Sequence, residues 1–263
     1  MEIKVGTCGW SIKGGMREYF RLFNVIELQS TFYRLHSPKV LRRYREHSSR
    51  EFEFVVKAWQ AITHPISSPT WRRSGKIPKL GDPSGFGHLR PTPENQKAWN
   101  LILQTCEALR SRFVLVQTPP SFVCNETNRT NMSLFFSSID RKGLIIGWEP
   151  RGDWNLHPEE VKKVCCELSL VHVVDPFRRL PATTYSSDPE ASESTTYFRL
   201  HGIGGRETNY GYRYTEEDLV RLASIAVNYA AYGSVYVMFN NVNMGSDALR
   251  FKQMLNLTSP SPC

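Results

Sequence analysis

Eight short runs of β-branched and apolar residues recur along the chain: Ile3–Thr7, Val25–Leu28, Phe52–Val56, Arg112–Val116, Leu144–Trp148, Leu170–Val174, Tyr197–Leu200 and Ser234–Phe239. Several, such as Phe113-Val114-Leu115-Val116, are apolar almost throughout rather than alternating, as in parallel strands covered on both faces. The stretches between them carry helix signals. Proline takes the first helical position after Ser37, Thr92 and His157. Thr215 precedes Glu216, Glu217 and Asp218, which suit the positive end of a helix dipole. Leu219, Leu222, Ile225, Ala226 and Tyr229 then share one face at helical spacing. Ser246-Asp247 is expected to open the last helix, with Leu249 and Met254 pointing inward.

Strand–helix alternation repeated eight times in 263 residues predicts an α/β fold, a single (β/α)8 barrel of parallel strands over residues 1–263. An open doubly wound sheet would be expected to place a glycine-rich turn after its first strand, and none is there. Two long loops interrupt the rhythm, after strands 3 and 6. Ser67–Pro91 is rich in Pro, Gly and Ser, carries Arg72, Arg73, Lys76, Lys79 and Arg90 against one acid, and is expected to act as a lid. Leu180–Thr196 is a polar Ser/Thr stretch expected to be a flexible loop, and 257–263 reads as a tail.

Composition narrows the setting. The hydrophobic content of 40% suffices for a core without disulfides. Cys8, Cys106, Cys124, Cys165, Cys166 and Cys263 form no Cys-x-x-Cys pair, so buried thiols are expected rather than a zinc site. No cleavable leader and no spanning segment is evident, which predicts a cytoplasmic protein with no membrane association. The net charge of +8 favours anionic partners, either nucleic acid or a phosphorylated small molecule.

In such a barrel, catalytic groups come from the C-terminal ends of several strands. Here those ends offer Glu27, Lys57 with His64 beyond it, Gln117, Glu149, Asp175, His201 and Asn240. Glu27, Lys57, His64, Glu149, Asp175 and His201 are the catalytic candidates. Glu149 and Asp175 suit an acid/base pair with His201 as proton carrier, and Lys57 either a Schiff-base amine or an ion-pair partner of Glu27 or Glu149. Glu149, Asp175 and His201 also offer the oxygen and nitrogen donors that zinc, manganese or magnesium take. Substrate contacts are expected from Thr31, Tyr33, Gln117, Arg151, Trp154, Arg199, Tyr214, Asn240, Asn241 and Asn243. Gly204, Gly205 and Arg206 resemble a phosphate cradle after strand 7. Arg199 is also a candidate partner for Glu149.

The blocks Gly6-Thr7-Cys8-Gly9-Trp10-Ser11, Val25-Ile26-Glu27-Leu28-Gln29-Ser30-Thr31-Phe32-Tyr33-Arg34 and Val56-Lys57-Ala58 with Ile62-Thr63-His64 resemble the YecE-like family, the domain of unknown function numbered seventy-two. Gln117-Thr118-Pro119-Pro120, Tyr197-Phe198-Arg199-Leu200-His201-Gly202 and Val235–Asn241 match it in order. The resemblance implies a TIM barrel and assigns no activity. By fold analogy with endonuclease IV and sugar isomerases it implies phosphodiester or sugar chemistry. Cys8 replaces a small residue of the family pattern, and Glu149-Pro150-Arg151 departs from its Glu-Phe-Arg-His block.

Three functions are therefore expected, in order: a hydrolase of phosphate-bearing substrates, nuclease-like and divalent-metal assisted; a carbohydrate-active hydrolase or isomerase; and a non-catalytic nucleic-acid-binding protein.

Overall fold

The computed structural model describes residues 2–75, 77–182, 194–205 and 207–258, with side chains to 256. Lys76, Arg206, Cys263, most of the loop after the sixth strand and the end of the tail lie outside the described residues. In chain order the elements are β1 (Glu2–Cys8), α1 (Gly15–Leu22), β2 (Val25–Leu28), α2 (Ser30–Tyr33), α3 (Pro38–His47), β3 (Glu53–Lys57), α4 (Pro93–Leu109), β4 (Phe113–Gln117) and α5 (Glu126–Ser138). They continue as β5 (Ile145–Glu149), α6 (Pro158–Glu167), β6 (Val171–Val174), β7 (Ser194–Leu200), α7 (Glu216–Ala230), β8 (Gly233–Phe239) and α8 (Met244–Thr258).

The strands hydrogen-bond in chain order and close into an eight-stranded barrel. Helices cover the outside, so both faces of each strand are buried and the apolar runs are continuous. Contacts cluster into two compact units, Met1–Glu27 with Val173–Cys263, and Leu28–His172. In the first, β1, β8 and β7 run parallel, with Gly6 opposite Met238 and Arg199 opposite Met238. Phe239 meets Phe251 of α8, and Phe198 meets Tyr229 of α7, at ring separations of 5.9 and 5.4 Å. Burying one such phenylalanine contributes roughly 2–3 kcal/mol. In the second, β3, β4 and β5 run parallel, and Trp99 of α4 packs edge-on to Phe135 of α5 while its indole donates to the Asp140 carbonyl.

Four expectations need correction. First, β7 begins at Ser194, because Ser194, Thr195 and Thr196 pair with Gly233, Ser234 and Val235 of β8 and leave the polar loop. Second, α8 begins at Met244, two residues early, and buries Asp247, Ala248 and Phe251 rather than Leu249 or Met254. It also takes in 257 and 258, shortening the tail. Third, the described part of 67–91 is fastened down. Gly87, His88 and Leu89 donate backbone hydrogen bonds to Ala61, Thr63 and Ile62, and the buried Asn95 amide grips the Gly87 and Arg90 carbonyls. Trp71, Phe86 and Leu89 are its buried anchors, so this segment is packed wall rather than a free lid. Fourth, Cys166 is exposed and Cys124 half-buried, whereas Cys8, Cys106 and Cys165 sit in the core. Burial pushes the Cys106 thiol up to about 12, so it is inert.

Candidate functional site

The Leu28–His172 unit holds one group of predicted residues. Lys57 ends β3, where its ammonium donates to Gln117 Oε1 at 2.8 Å and lies 4.5 Å above the Phe32 ring. Both contacts suit a cation removed from bulk water, the ring through its negative face. Phe32 also meets His64 edge-on at 4.9 Å and Tyr33 at 5.0 Å. His64 is buried, with Nδ1 2.8 Å from Thr63 Oγ1. Burial, then the charges of Lys57 and His88, push its pKa down to about 3, so its imidazole is neutral at physiological pH. Outward, Tyr33 accepts from Arg73 Nη1 at 3.0 Å. Lys57, Gln117, His64 and Tyr33 are thus brought together as expected.

The remaining residues of this unit have structural duties. Thr31 spends its single hydroxyl proton between the Leu28 and Lys57 carbonyls, each at 2.6 Å, tying β2 to β3 instead of meeting substrate. Trp154 is fully buried, stacked on Phe122 and donating to its carbonyl at 2.6 Å; it is core, because a buried indole N–H demands a partner. Trp148 is likewise core. Glu149 accepts from Arg151 at 2.7 Å with both side chains nearly dry, which neutralises it as a free acid or base. Gln60 and Trp59 retain buried polar atoms without hydrogen-bond partners: both amide atoms of Gln60 and the indole Nε1 of Trp59.

The unit of residues 2–27 and 173–258 holds a second group. Glu27 is fully buried and is gripped by Arg199, whose Nη2 reaches Oε1 at 2.8 Å and Nε reaches Oε2 at 3.0 Å. Tyr197 donates to Oε2 at 3.0 Å. Arg199 therefore answers Glu27. Its Nη1 lies 3.1 Å from His201 Nε2. Since a guanidinium only donates, Nε2 must accept and the imidazole proton belongs on Nδ1. His201 is thereby oriented, with Nδ1 3.8 Å from Asp175 Oδ2. Asp175 accepts from the His201 and Phe177 amides at 2.9 and 3.1 Å, which holds the turn after β6, and Arg178 Nε lies 3.7 Å from its Oδ2.

The loop expected to cradle phosphate is braced through its carbonyls, and its Arg206 lies outside the described residues. Arg178 Nη2 donates to the Gly202 and Gly204 carbonyls, each at 2.7 Å, and the Gly202 amide donates to buried Tyr214. Gly204 and Gly205 stand exposed with φ of +79° and +73°, a turn that favours glycine. Asp247 lies fully buried in the first turn of α8, accepting from Asn241 Nδ2 at 2.7 Å and from the Tyr214 amide. The positive end of α8 thus meets an internal carboxylate, held by Asn241 Nδ2 and the Tyr214 amide, while Asn241 Oδ1 is buried without a hydrogen-bond partner. Asn243 caps the same turn through its carbonyl, which the Asp247 amide reaches. Asn240 is buried with its Nδ2 unpartnered.

Among the described residues no three His, Cys, Asp or Glu side chains group so as to hold a metal ion. Of the expected donors, Glu149 is held by Arg151 in one unit, while in the other Asp175 accepts from backbone amides and His201 Nε2 faces Arg199. Sequence reasoning missed Arg178, Asp247, Tyr197 and Phe32 as organisers. Only Tyr197 left a signal, since it stands two residues before Arg199 and so on the same strand face. Among the described residues no helix is long and apolar enough to cross a membrane.

Comparison with known proteins agrees with the barrel. A family model described as protein of unknown function DUF72 matches residues 5–262. The UPF0759 protein YunF of Bacillus subtilis (strain 168) is 22% identical, over 97% of this chain and 94% of its own. A solved DUF72 family protein from Enterococcus faecalis V583 superposes with a TM-score of 0.71 at 19% identity, covering 98% of each chain. One from Thermotoga maritima gives 0.69 at 24%, covering 97% of this chain and all of the other. Endonuclease IV from Thermus thermophilus is similar in fold, with a TM-score of 0.55 at 11% identity over 97% and 98% of the two chains.

Proposed function

We propose that this chain, which belongs to the DUF72 family, hydrolyses a phosphate ester, such as the phosphodiester link of nucleic acid, at the end of β3. The observation that carries the reading is the Lys57 ammonium, buried at a strand's C-terminal end between Gln117 and the Phe32 ring. Its field reaches His64, where it is among the causes that lower the imidazole's basicity. A cation fixed there, in a place sheltered from water, suits the negative charge of a phosphate oxygen.

His64 supplies the second part. His64 Nδ1 is hydrogen-bonded to Thr63 Oγ1, and in the tautomer that donates through Nδ1–H the Nε2 atom keeps its lone pair. An arriving phosphate offsets the charge of Lys57 and raises the proton affinity of Nε2 when a base is needed. Water attacks phosphorus, its proton passes to Nε2, and the ester oxygen departs. The likeness to endonuclease IV adds a precedent for nuclease work on this fold, though fold does not dictate function.

The test is turnover of labelled single- and double-stranded DNA and RNA and of a small chromogenic phosphodiester. Lys57→Met is expected to lower kcat/KM about 100- to 1000-fold with unchanged circular dichroism, the scale of losing one preorganised charge-stabilising donor. Native protein inert toward every phosphate ester would sink the reading.

A further inference from the structure

We infer that the outer face formed by α2, the first half of α3 and the turn Pro69–Arg73 binds the phosphate backbone of a nucleic acid and leads it to Lys57. This names the substrate class of the site proposed above and rests on that reading. The first ground is where the charge lies. Leu28–Arg45 and Phe54–Gly81 together contain ten Lys and Arg and no Asp or Glu. The whole chain has 33 basic and 25 acidic residues, so everything outside these two segments has 23 basic residues against all 25 acids. The excess positive charge of the molecule therefore resides in these two segments alone.

The second ground is that the segments touch and lead to the site. Thr31 ties α2 to the end of β3 through the Lys57 carbonyl. From the Lys57 ammonium the contacts pass to the Phe32 ring, from Phe32 to Tyr33, and from Tyr33 to Arg73, whose guanidinium also lies 5.7 Å from the Tyr33 ring centre. Arg34, Lys39, Arg42, Arg43, Arg72 and Arg73 stand exposed around this path. Arg45 is excluded, since it is spent on the Ser49 and Phe52 carbonyls.

Composition chooses among polyanions. Five of the six exposed groups are arginine, whose planar fork grips phosphate oxygens in pairs, and half-buried Tyr33 offers a ring for a base to lie on. A membrane surface would call for apolar side chains to insert, yet Ile77 is the one exposed large apolar residue that the described parts of these segments present.

The experiment is fluorescence anisotropy of the full chain with a labelled DNA of about 30 nucleotides, single-stranded and duplex, at about 50 and 200 mM salt. Native affinity is expected to fall at least about tenfold over that range. R42E/R43E and R72E/R73E are each expected to weaken binding about tenfold or more and to flatten the salt slope by about two. K162E/K163E makes the same charge change on exposed positions of α6 and is expected to stay within about twofold of native. Losses in the first two variants no larger than in the third would overturn the inference, as would native protein that binds anionic phosphatidylserine vesicles but neither DNA. The two readings fail separately. Salt-sensitive DNA binding without turnover of any phosphate ester sinks the site and keeps the surface, whereas turnover of the small diester without DNA binding does the reverse.

Discussion

Arg199 retains 1% of its side-chain exposure and Glu27 none, so each buried charge leans on its ion pair with the other. Removing one partner leaves a bare charge in a dry core. R199M is expected to cost about 3–5 kcal/mol of folding stability, read as a lowered urea midpoint. The double variant E27M/R199M is expected to be less damaged than the sum of the singles, because it buries no orphan charge. Additive losses would show that the pair is not coupled. At this scale the sequence disclosed which positions were polar at strand ends, but not their partners. Glu27 and Arg199 lie 172 residues apart, and adjacency across a closed sheet leaves no trace in spacing. Glu149 has an arginine partner two residues away in Arg151. The same blindness applies to Trp154 and Tyr214, since an aromatic near a strand end reads alike whether its polar tip meets a ligand or the backbone, here the Phe122 carbonyl and the Gly202 amide.

Elements were more legible, for a physical reason. A strand buried on both faces must be apolar along its length, so eight runs marked eight strands with ends shifted by a few residues at most. Helix starts were readable where a cap used local side chains. Thr215 accepts from the Asp218 amide while the Asp218 carboxylate accepts from the Thr215 amide, a reciprocal cap at the mouth of α7. T215A is expected to lose about 1 kcal/mol by chemical denaturation, and T215S to recover most of it. An unchanged midpoint in T215A would mean that packing of Leu219, Leu222 and Ala226 alone holds the helix start. What escaped was set by distant contacts. The Gly87–Leu89 turn is ordered by Ala61–Thr63 and Asn95, so a segment with the composition of a lid is packed as wall. The opening of α8 at Met244 has no side-chain signal comparable with that of Thr215, and Ser246-Asp247 was mistaken for it.

For the molecule as a whole, pH is the handle that joins site to stability. An unfolded histidine takes its proton near pH 6.5, whereas folded His64 resists until about 3, through burial first and then the charges of Lys57 and His88. Between those values the unfolded chain binds one more proton than the folded one, so stability is complete above about pH 6.5 and drains as pH falls. His36 and His88 are also lowered, by burial and then by arginine charge, and act in the same direction. Burial opposes ionisation of Asp218, but hydrogen bonds from Tyr212 and Thr215 outweigh it and hold its pKa below the usual range, so its contribution is lost only at more acid pH. Native protein is therefore expected to lose on the order of 2 kcal/mol from His64 alone between pH 7 and 5, read from urea midpoints across that range. H64Q cannot take up the proton and should follow a flatter profile, with native and variant converging as pH falls. Parallel profiles would mean that His64 titrates alike in the folded and unfolded chain.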